Sequence, residues 1–507
     1  MAWHNEPGGS SYRAIFKSSA ILGSARAINM LIGMIRTKVM ALLIGPVGMG
    51  IFGMYDSIIV TAGTVTGMGV GRSGVREVAL TSGNGDKEST AKMATSLKRI
   101  ALLLGIVGMV IMVCLSSLIS RITFGNTKHS FAVMLLSSTL IGFTVGGAYI
   151  AIMQGVGRVS DLAKFNISSS ALGSAAAIAL FVVLGHKGVL PAIISIYAAF
   201  LAVAIWFGRK IDLPRAKPSW TESLNMSPRL LKLGLALMNA AVIASVVAYT
   251  TRVLIGRNLG IEAVGIYICG FSLSGKFVNF IIEAIWKDFY PRASSVANDH
   301  STLNRLVNEQ IEISLLLAVP GLFATIILAP WLVRLFYSKS FEGAVLLIRW
   351  FTLGCLGGVI SRPIQIIQIA KGRSLIFFFT ETLCSTFHVL MIVILIRAWS
   401  LPGAAIAYVL HNFVQIFVSM VVAKRLTGFS WSLETARMIG VFALLSVFGV
   451  VVAMVVGVWK ITIIGTLGTI VLALYCLRQL TGRLGPDHRL SIFASNQPII
   501  GRLFVNH

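Results

Sequence analysis

Charge is what this 507-residue sequence has least of. Asp, Glu, Lys and Arg together make up 12% of it against 56% hydrophobic residues, where a soluble chain carries roughly 25% charged residues. No stretch of about 100 residues has the polar coat that a water-exposed domain needs. That excludes a soluble enzyme and a disordered scaffold together. Acids are the scarcer sign: 18 Asp+Glu face 43 Lys+Arg, for a net charge of +25. Cysteine is sparse too. Cys114, Cys269, Cys355, Cys384 and Cys476 lie far apart in apolar surroundings without CxxC spacing, so they read as small buried hydrophobes, not as a disulfide framework or a metal site. Strand-type alternation is missing, which excludes a barrel. So are HExxH, GxxxxGK(S/T) and GxSxG. Gly67-x-Gly69-x-Gly71 lies inside an apolar helix and not after a strand, so it fails the context of a dinucleotide loop. The polar start of the chain has no A-x-A-like site before the first apolar stretch, and the first helix is expected to stay in the membrane.

What is present is length of apolar run. Spanning a bilayer takes about 20 mainly apolar residues, and about fourteen such stretches occur between residues 16 and 477. The expected class is an all-α polytopic membrane protein. Lys and Arg are divided unevenly between alternate connections: 28 of the 43 fall on the side of the N-terminus and only 8 on the other. An excess of cations marks the cytoplasmic side, so both termini are expected there. The sign of the net charge then needs no nucleic acid. The chain also repeats itself. Leu42, Gly48, Gly53 and Tyr55 match Leu254, Gly260, Gly265 and Tyr267 at an offset of 212, and Gln154-GVGR matches Gln368-IAKGR at 214 to 215. A unit of about six helices enters from the same side each time, so the two copies are parallel. The expected organisation is a six-helix half over 12–210, a cytoplasmic linker over 211–228, a second half over 229–426, two further helices over 436–480 and a tail over 481–507. Parallel halves around a central cavity suit an alternating-access carrier.

Seven cations lie inside the apolar stretches: Arg26, Arg36, Lys38, Arg252, Lys276, Arg349 and Arg362. A charge at mid-bilayer costs about 2.5–3.5 kcal/mol on insertion scales, so such residues face protein or water. In the first stretch Arg26, Asn29, Gly33 and Arg36 fall within about 80° of one face, as do Lys276, Asn279, Glu283 and Lys287 in the eighth. Lys38, Lys287 and Arg349 lie within two turns of a helix end and are expected to snorkel to the interface. Arg362-Pro363 with Gln365 and Gln368 marks a broken or cavity-lining segment. The embedded acids are Asp56, Glu283 and Glu381, candidates for ion coupling or for pairing with the cations; His388 and His411 read equally as satisfied core histidines. The balance predicts a positive cavity suited to phosphate-bearing cargo, for which Arg supplies a planar fork and Lys a point charge. No metal or organic cofactor is expected, only H⁺ or Na⁺ coupling.

The stretch Ser18-SAILGSARAINMLIGMIRTKVMALLIGPVGMGIFGMY, continuing to Gly69-VGRSGVREVA, resembles the O-antigen and lipid-linked oligosaccharide flippases of the multidrug/oligosaccharidyl-lipid/polysaccharide exporter superfamily. Gln368-IAKGRS and LPGAAIAYVL resemble the second repeat of that family, and the likeness runs over roughly 12–480. The resemblance implies a multi-pass bacterial inner-membrane protein that moves an undecaprenyl-diphosphate-linked glycan to the periplasmic leaflet. It implies two six-helix bundles around a cationic cavity and two extra C-terminal helices. A glycan polymerase and a chain-length regulator are the implied protein partners. Arg26 and Arg36 answer to the arginines that lipid II flippases carry on helix 1, and Lys276 stands where they have an arginine on helix 8. Arg252 and Arg362 would complete the diphosphate site, with Arg72 and Arg76 meeting the diphosphate as it comes in from the cytoplasm. A drug or metabolite exporter of the same superfamily is the alternative, and would need Asp56, Glu283 or Glu381 to dominate the cavity. A membrane glycan polymerase or ligase would need long outer loops, which the sequence does not offer.

Overall fold

The structure is a computed structural model that describes residues 9–484 except 215 and 217. Side chains of 9–22, 227, 229, 236, 237, 277, 279–288, 458 and 484 lie outside the described set. Every regular element in it is helical. In order these are α1 (Gly9–Thr66), α2 (Val70–Gly83), α3 (Lys87–Cys114), α4 (Ser116–Phe124), α5 (Ser130–Leu136), α6 (Thr139–Gly155), α7 (Val159–Leu184) and α8 (Val189–Gly208). They continue with α9 (Trp220–Leu259), α10 (Ile261–Ser295), α11 (His300–Phe336), α12 (Ala344–Ala370), α13 (Ser374–Thr427), α14 (Leu433–Val455) and α15 (Val458–Leu484). Helices dominate because lipid offers no partner for a free N–H or C=O, and a helix satisfies its own.

Among the described residues ten stretches are long and apolar enough to cross a membrane. Three are double-length: Gly23–Thr66, Val159–Gly208 and Ser374–Thr427, of 44, 50 and 54 residues. At 1.5 Å per residue these would reach about 66–81 Å, more than twice a hydrocarbon core of about 30 Å. Each is broken near its middle. Gly45 (φ 57°, ψ −166°) breaks α1, Gly185 (φ 55°, ψ −131°) separates α7 from α8, and Ser400 (φ 53°, ψ −138°) breaks α13.

The breaks expose the internal repeat more sharply than residue identity does. Gly45 corresponds to Gly260, Gly157 to Gly372 and Gly185 to Ser400, all at one offset of 215 and all with positive φ. The gapless match at 212 therefore pairs the wrong glycines around the first break: Gly48 sits in helix, and Gly45 is the counterpart of Gly260. Ser400 is the one non-glycine of the six. Its φ and ψ lie where a Cβ is crowded, at a cost of about 1–2 kcal/mol. Ser400→Gly is expected to raise stability by about 1 kcal/mol, seen as a higher melting temperature of the purified protein. An unchanged or lower midpoint would mean that the serine is not strained.

The chain divides into two compact units, one running to Gly265 and including Phe336–Ser338, the other comprising Ile266–Leu335 and the chain from Lys339. In the first, α2, α3, α6 and α8 enclose a core of Val78, Leu97, Ile100, Met153, Ala204 and Phe207. In the second, α11 is the central element, with Ile311, Leu315, Val319 and Ile326 fully buried against α12, α14 and α15. Helix starts at the charged ends are capped. The Asp86 carboxylate accepts from the N–H groups of Glu88 and Ser89 at 2.9 and 3.0 Å, and Ser219 with Glu222 forms a capping box on α9. Hydrogen bonds from Ser89 hold the Asp86 carboxyl below the usual carboxylate range.

Candidate functional site

The break at Gly45 does more than turn the chain. Arg36 lies nine residues before it and Asp56 eleven after, so the hairpin brings both to about 14–16 Å from the turn. Arg252 lies eight residues before the related break at Gly260, about 12 Å from it. With the breaks at a membrane surface, all three sit close to half the depth of a 30 Å core. The side chains lie within electrostatic range of one another. Asp56 interacts electrostatically with Arg252 and, more weakly, with Arg36, and Arg36 with Asp56 and Tyr197. Tyr197 on α8 interacts with both Asp56 and Arg36. All four are half-buried.

Two guanidiniums thus lie within electrostatic range of one carboxylate. The Nε of Arg252 is buried and has no hydrogen-bond partner among the described residues, and neither does Oδ1 of Asn29, which shares the face of Arg36. A buried donor without an acceptor costs about 1–3 kcal/mol. The cluster therefore has both spare positive charge and a spare donor to offer an anion. Tyr197 carried no sequence signal, because it sits in a small-residue helix some 140 residues beyond Asp56.

The other expected residues are placed less closely. Arg26 is exposed on α1, two turns or more from Arg36. Arg72 lines a cavity of about 190 Å³ with Thr64, Gly67, Phe143, Thr144 and Met238, and Arg76 follows one turn later on α2, exposed. Both arginines therefore stand on α2, which is helical from Val70 to Gly83. In the second unit Lys276 is half-buried on α10 and interacts with Cys269, two turns earlier. Glu283, Asn279 and Lys287 lie outside the described side chains. Glu381 accepts a hydrogen bond from Gln415 Nε2 at 2.6 Å. Arg362 is exposed, with Tyr408 and His411 in electrostatic range. His388 and His411 stack at 4.9 Å, and Nδ1 of His411 lies 3.0 Å from the Cys384 carbonyl oxygen.

Two expectations in this unit are corrected. Arg362-Pro363 does not mark a broken segment: α12 runs through it, and Pro363, Gln365 and Gln368 are all buried. Packed neighbours on all sides tolerate the missing N–H, and Thr380 bonds Gln368 Oε1 at 3.1 Å. Arg349 does not snorkel. It is 7% exposed with its Nε unpartnered among the described residues, because its side of α12 faces the unit's interior.

Comparisons with known proteins agree with this architecture. The family described as polysaccharide biosynthesis protein matches residues 39–346, more than half of the chain. The lipid III flippase of Escherichia coli (strain K12) is 24% identical over 403 residues, covering 78% of this chain and 94% of that one. Among solved structures, the lipid II flippase MurJ in an inward closed conformation superimposes with a TM-score of 0.71 at 14% identity, over 91% of this chain and 99% of its own. An inward-facing multidrug resistance MATE family transporter of the MOP superfamily gives 0.68 at 14% identity, over 81% and 95%. At such identities the structural likeness speaks for the fold. The chain is a multi-pass membrane protein with the helical fold of these transporters, and it belongs to the polysaccharide biosynthesis protein family.

Proposed function

We propose that this protein flips a lipid-linked glycan across the bilayer by alternating access and performs no covalent chemistry. The observation that carries the reading is the Arg36–Asp56–Arg252 cluster, with two cations for one acid and a guanidinium nitrogen unpartnered among the described residues. A diphosphate is the group that such a cluster would take. Bidentate contacts to its oxygens match the guanidinium plane, and an anion about 4 Å from a cation gains on the order of 4 kcal/mol at an effective dielectric near 20. The diphosphate would draw both arginines and release Asp56, which could then bind H⁺ or Na⁺ and couple the return step. Glu381 is the second candidate for that coupling role. Arg72 and Arg76 would receive the diphosphate on the cytoplasmic side, and Lys276 and Arg362 are the candidate cations of the second unit considered by itself. A cationic drug would meet the wrong sign here.

The finer reading follows the resemblance and the names of the relatives. The cargo is an undecaprenyl-diphosphate-linked repeat unit of O-antigen or a related surface polysaccharide. It moves from the cytoplasmic to the periplasmic leaflet of the inner membrane in a fourteen-helix protein with both termini cytoplasmic. A polymerase and a chain-length regulator would take the product. Arg36→Ala and Arg252→Ala, each tested for restoring surface glycan to cells lacking the protein, are expected to cut export at least about 30-fold, the loss for truncating one partner of a desolvated charge contact. Arg252→Lys should recover only part of it. Full export by both alanine variants at normal protein levels would remove the cluster from the pathway.

A further inference from the structure

A second basic site lies in the first unit, away from the Arg36–Asp56–Arg252 cluster and at the opposite end of α6 and α8 from the Gly45 break. The ends of α3, α6 and α8 and the segment after α8 enclose a cavity of about 610 Å³. Its polar lining is Lys98 and Thr95 from α3, Tyr149 from α6 and Arg209 just beyond α8. Its apolar walls include Ala94, Ile152, Ile211, Leu213 and Pro214. Lys98 Nζ lies 5.6 Å from the centre of the Tyr149 ring, and Arg209 is within electrostatic range of the same tyrosine. Among the described residues no carboxylate lines the cavity. The acids near it are already engaged, Asp212 by Lys87 at 3.6 Å and Asp161 by Arg158 at 3.2 Å. Among the described residues neither Lys98 nor Arg209 is paired with a carboxylate. Two cations and two hydroxyls therefore converge on a pocket with no compensating carboxylate among the described residues.

The surroundings say which kind of anion fits. Trp206, one turn before Arg209, is exposed, and Lys210 Nζ sits 3.3 Å from its ring centre. An exposed Trp beside lysine and arginine at a helix end marks the level of the lipid headgroups. A soluble phosphate needs no apolar wall, whereas a phospholipid needs both a cationic pole and an apolar face for the first carbons of its chains. Basic pockets between membrane helices take anionic headgroups in this way.

We infer that this cavity binds the phosphate of an anionic phospholipid, with Lys98 and Arg209 as the charge contacts and Tyr149 and Thr95 as hydrogen-bond donors. The site is separate from the proposed glycan path, so Arg36 and Arg252 stay intact in its test. Full-length protein in detergent would be titrated with phosphatidylglycerol or phosphatidylcholine and the bound lipids counted by native mass spectrometry. The wild type is expected to hold one phosphatidylglycerol in preference to phosphatidylcholine, unaffected by millimolar inorganic phosphate. Lys98→Ala with Arg209→Ala should weaken that binding about 30-fold, from roughly fivefold per cation near a headgroup. Lys98→Arg with Arg209→Lys should keep it, which separates lost charge from lost folding. Equal binding by the double alanine variant would overturn the site. Displacement by inorganic phosphate without preference for phosphatidylglycerol would assign it to a soluble anion and overturn the lipid reading.

Discussion

Gly265→Val is expected to prevent the protein from accumulating in its folded form, and Gly50→Val to do the same. The two glycines are counterparts at the 215-residue offset. A methyl group added to Gly50 would meet the carbonyl oxygen of Ile261, and one added to Gly265 would meet the carbonyl oxygen of Pro46. Pro46 and Ile261 are themselves 215 apart, so the contact is made twice in mirrored form where α1 and the start of α10 touch. The atoms met are backbone, which cannot rotate away as a side chain can. Overpacking against side chains costs about 1–3 kcal/mol; against backbone the cost falls at or above the top of that range, since the helices themselves must separate. Fluorescence-detected size exclusion of tagged variants would show this as loss of the monodisperse peak. A control at Gly23 or Gly33, where a methyl meets nothing within 4 Å, should leave the peak unchanged. Normal yield and melting of Gly265→Val would mean that the close approach is not needed.

Arg483→Ala carries the second largest expected effect, a loss of about 3–5 kcal/mol of stability. Glu312 on α11 is 5% exposed in the core of the second unit. Its carboxylate pairs with Arg483 of α15 and accepts hydrogen bonds from Ser432 and Thr435 at the start of α14. Arg483 also pairs with Glu434 on the exposed side. Three helices therefore converge on one buried acid. Removing its cation leaves an uncompensated charge in a low-dielectric site, which is where the loss comes from. Glu434→Ala should cost no more than about 1 kcal/mol, because that carboxylate is solvated. Glu312→Gln combined with Arg483→Met should recover part of the loss, since a neutral pair pays no desolvation of charge. Thermal melting of the purified variants would give the order, and equal midpoints for Arg483→Ala and wild type would show that the pair contributes nothing.

Nothing in the sequence joins Arg483 to Glu312, 171 residues away and without any periodicity between them. The same limit applied within the candidate site. Arg36, Asp56 and Arg252 could each be singled out, since a charge in an apolar run is conspicuous. That they come within electrostatic range of one another depended on two chain breaks and on packing that no local pattern encodes. Arg349 shows the converse. Its distance from a helix end was legible, but whether that end points to lipid or to protein was not, and the structure buries it. Arg362-Pro363 failed for a related reason, because proline breaks a helix only where neighbours cannot absorb the missing bond.

What the sequence determined unaided is the class of object: helices that cross a membrane, with few charges inside. Those conclusions rest on quantities that add along a chain, namely apolar length against bilayer thickness and the cost of each charge in lipid. Tertiary structure decided which charges share a site, which glycines touch backbone and which acid anchors the last helices. These depend on positive-φ breaks and on contacts between residues far apart, whose energies belong to pairs and not to positions. The scarcity of charge that marks the sequence is thus informative twice. It places the chain in lipid, and it leaves so few buried ions that the ones the fold brings together stand out.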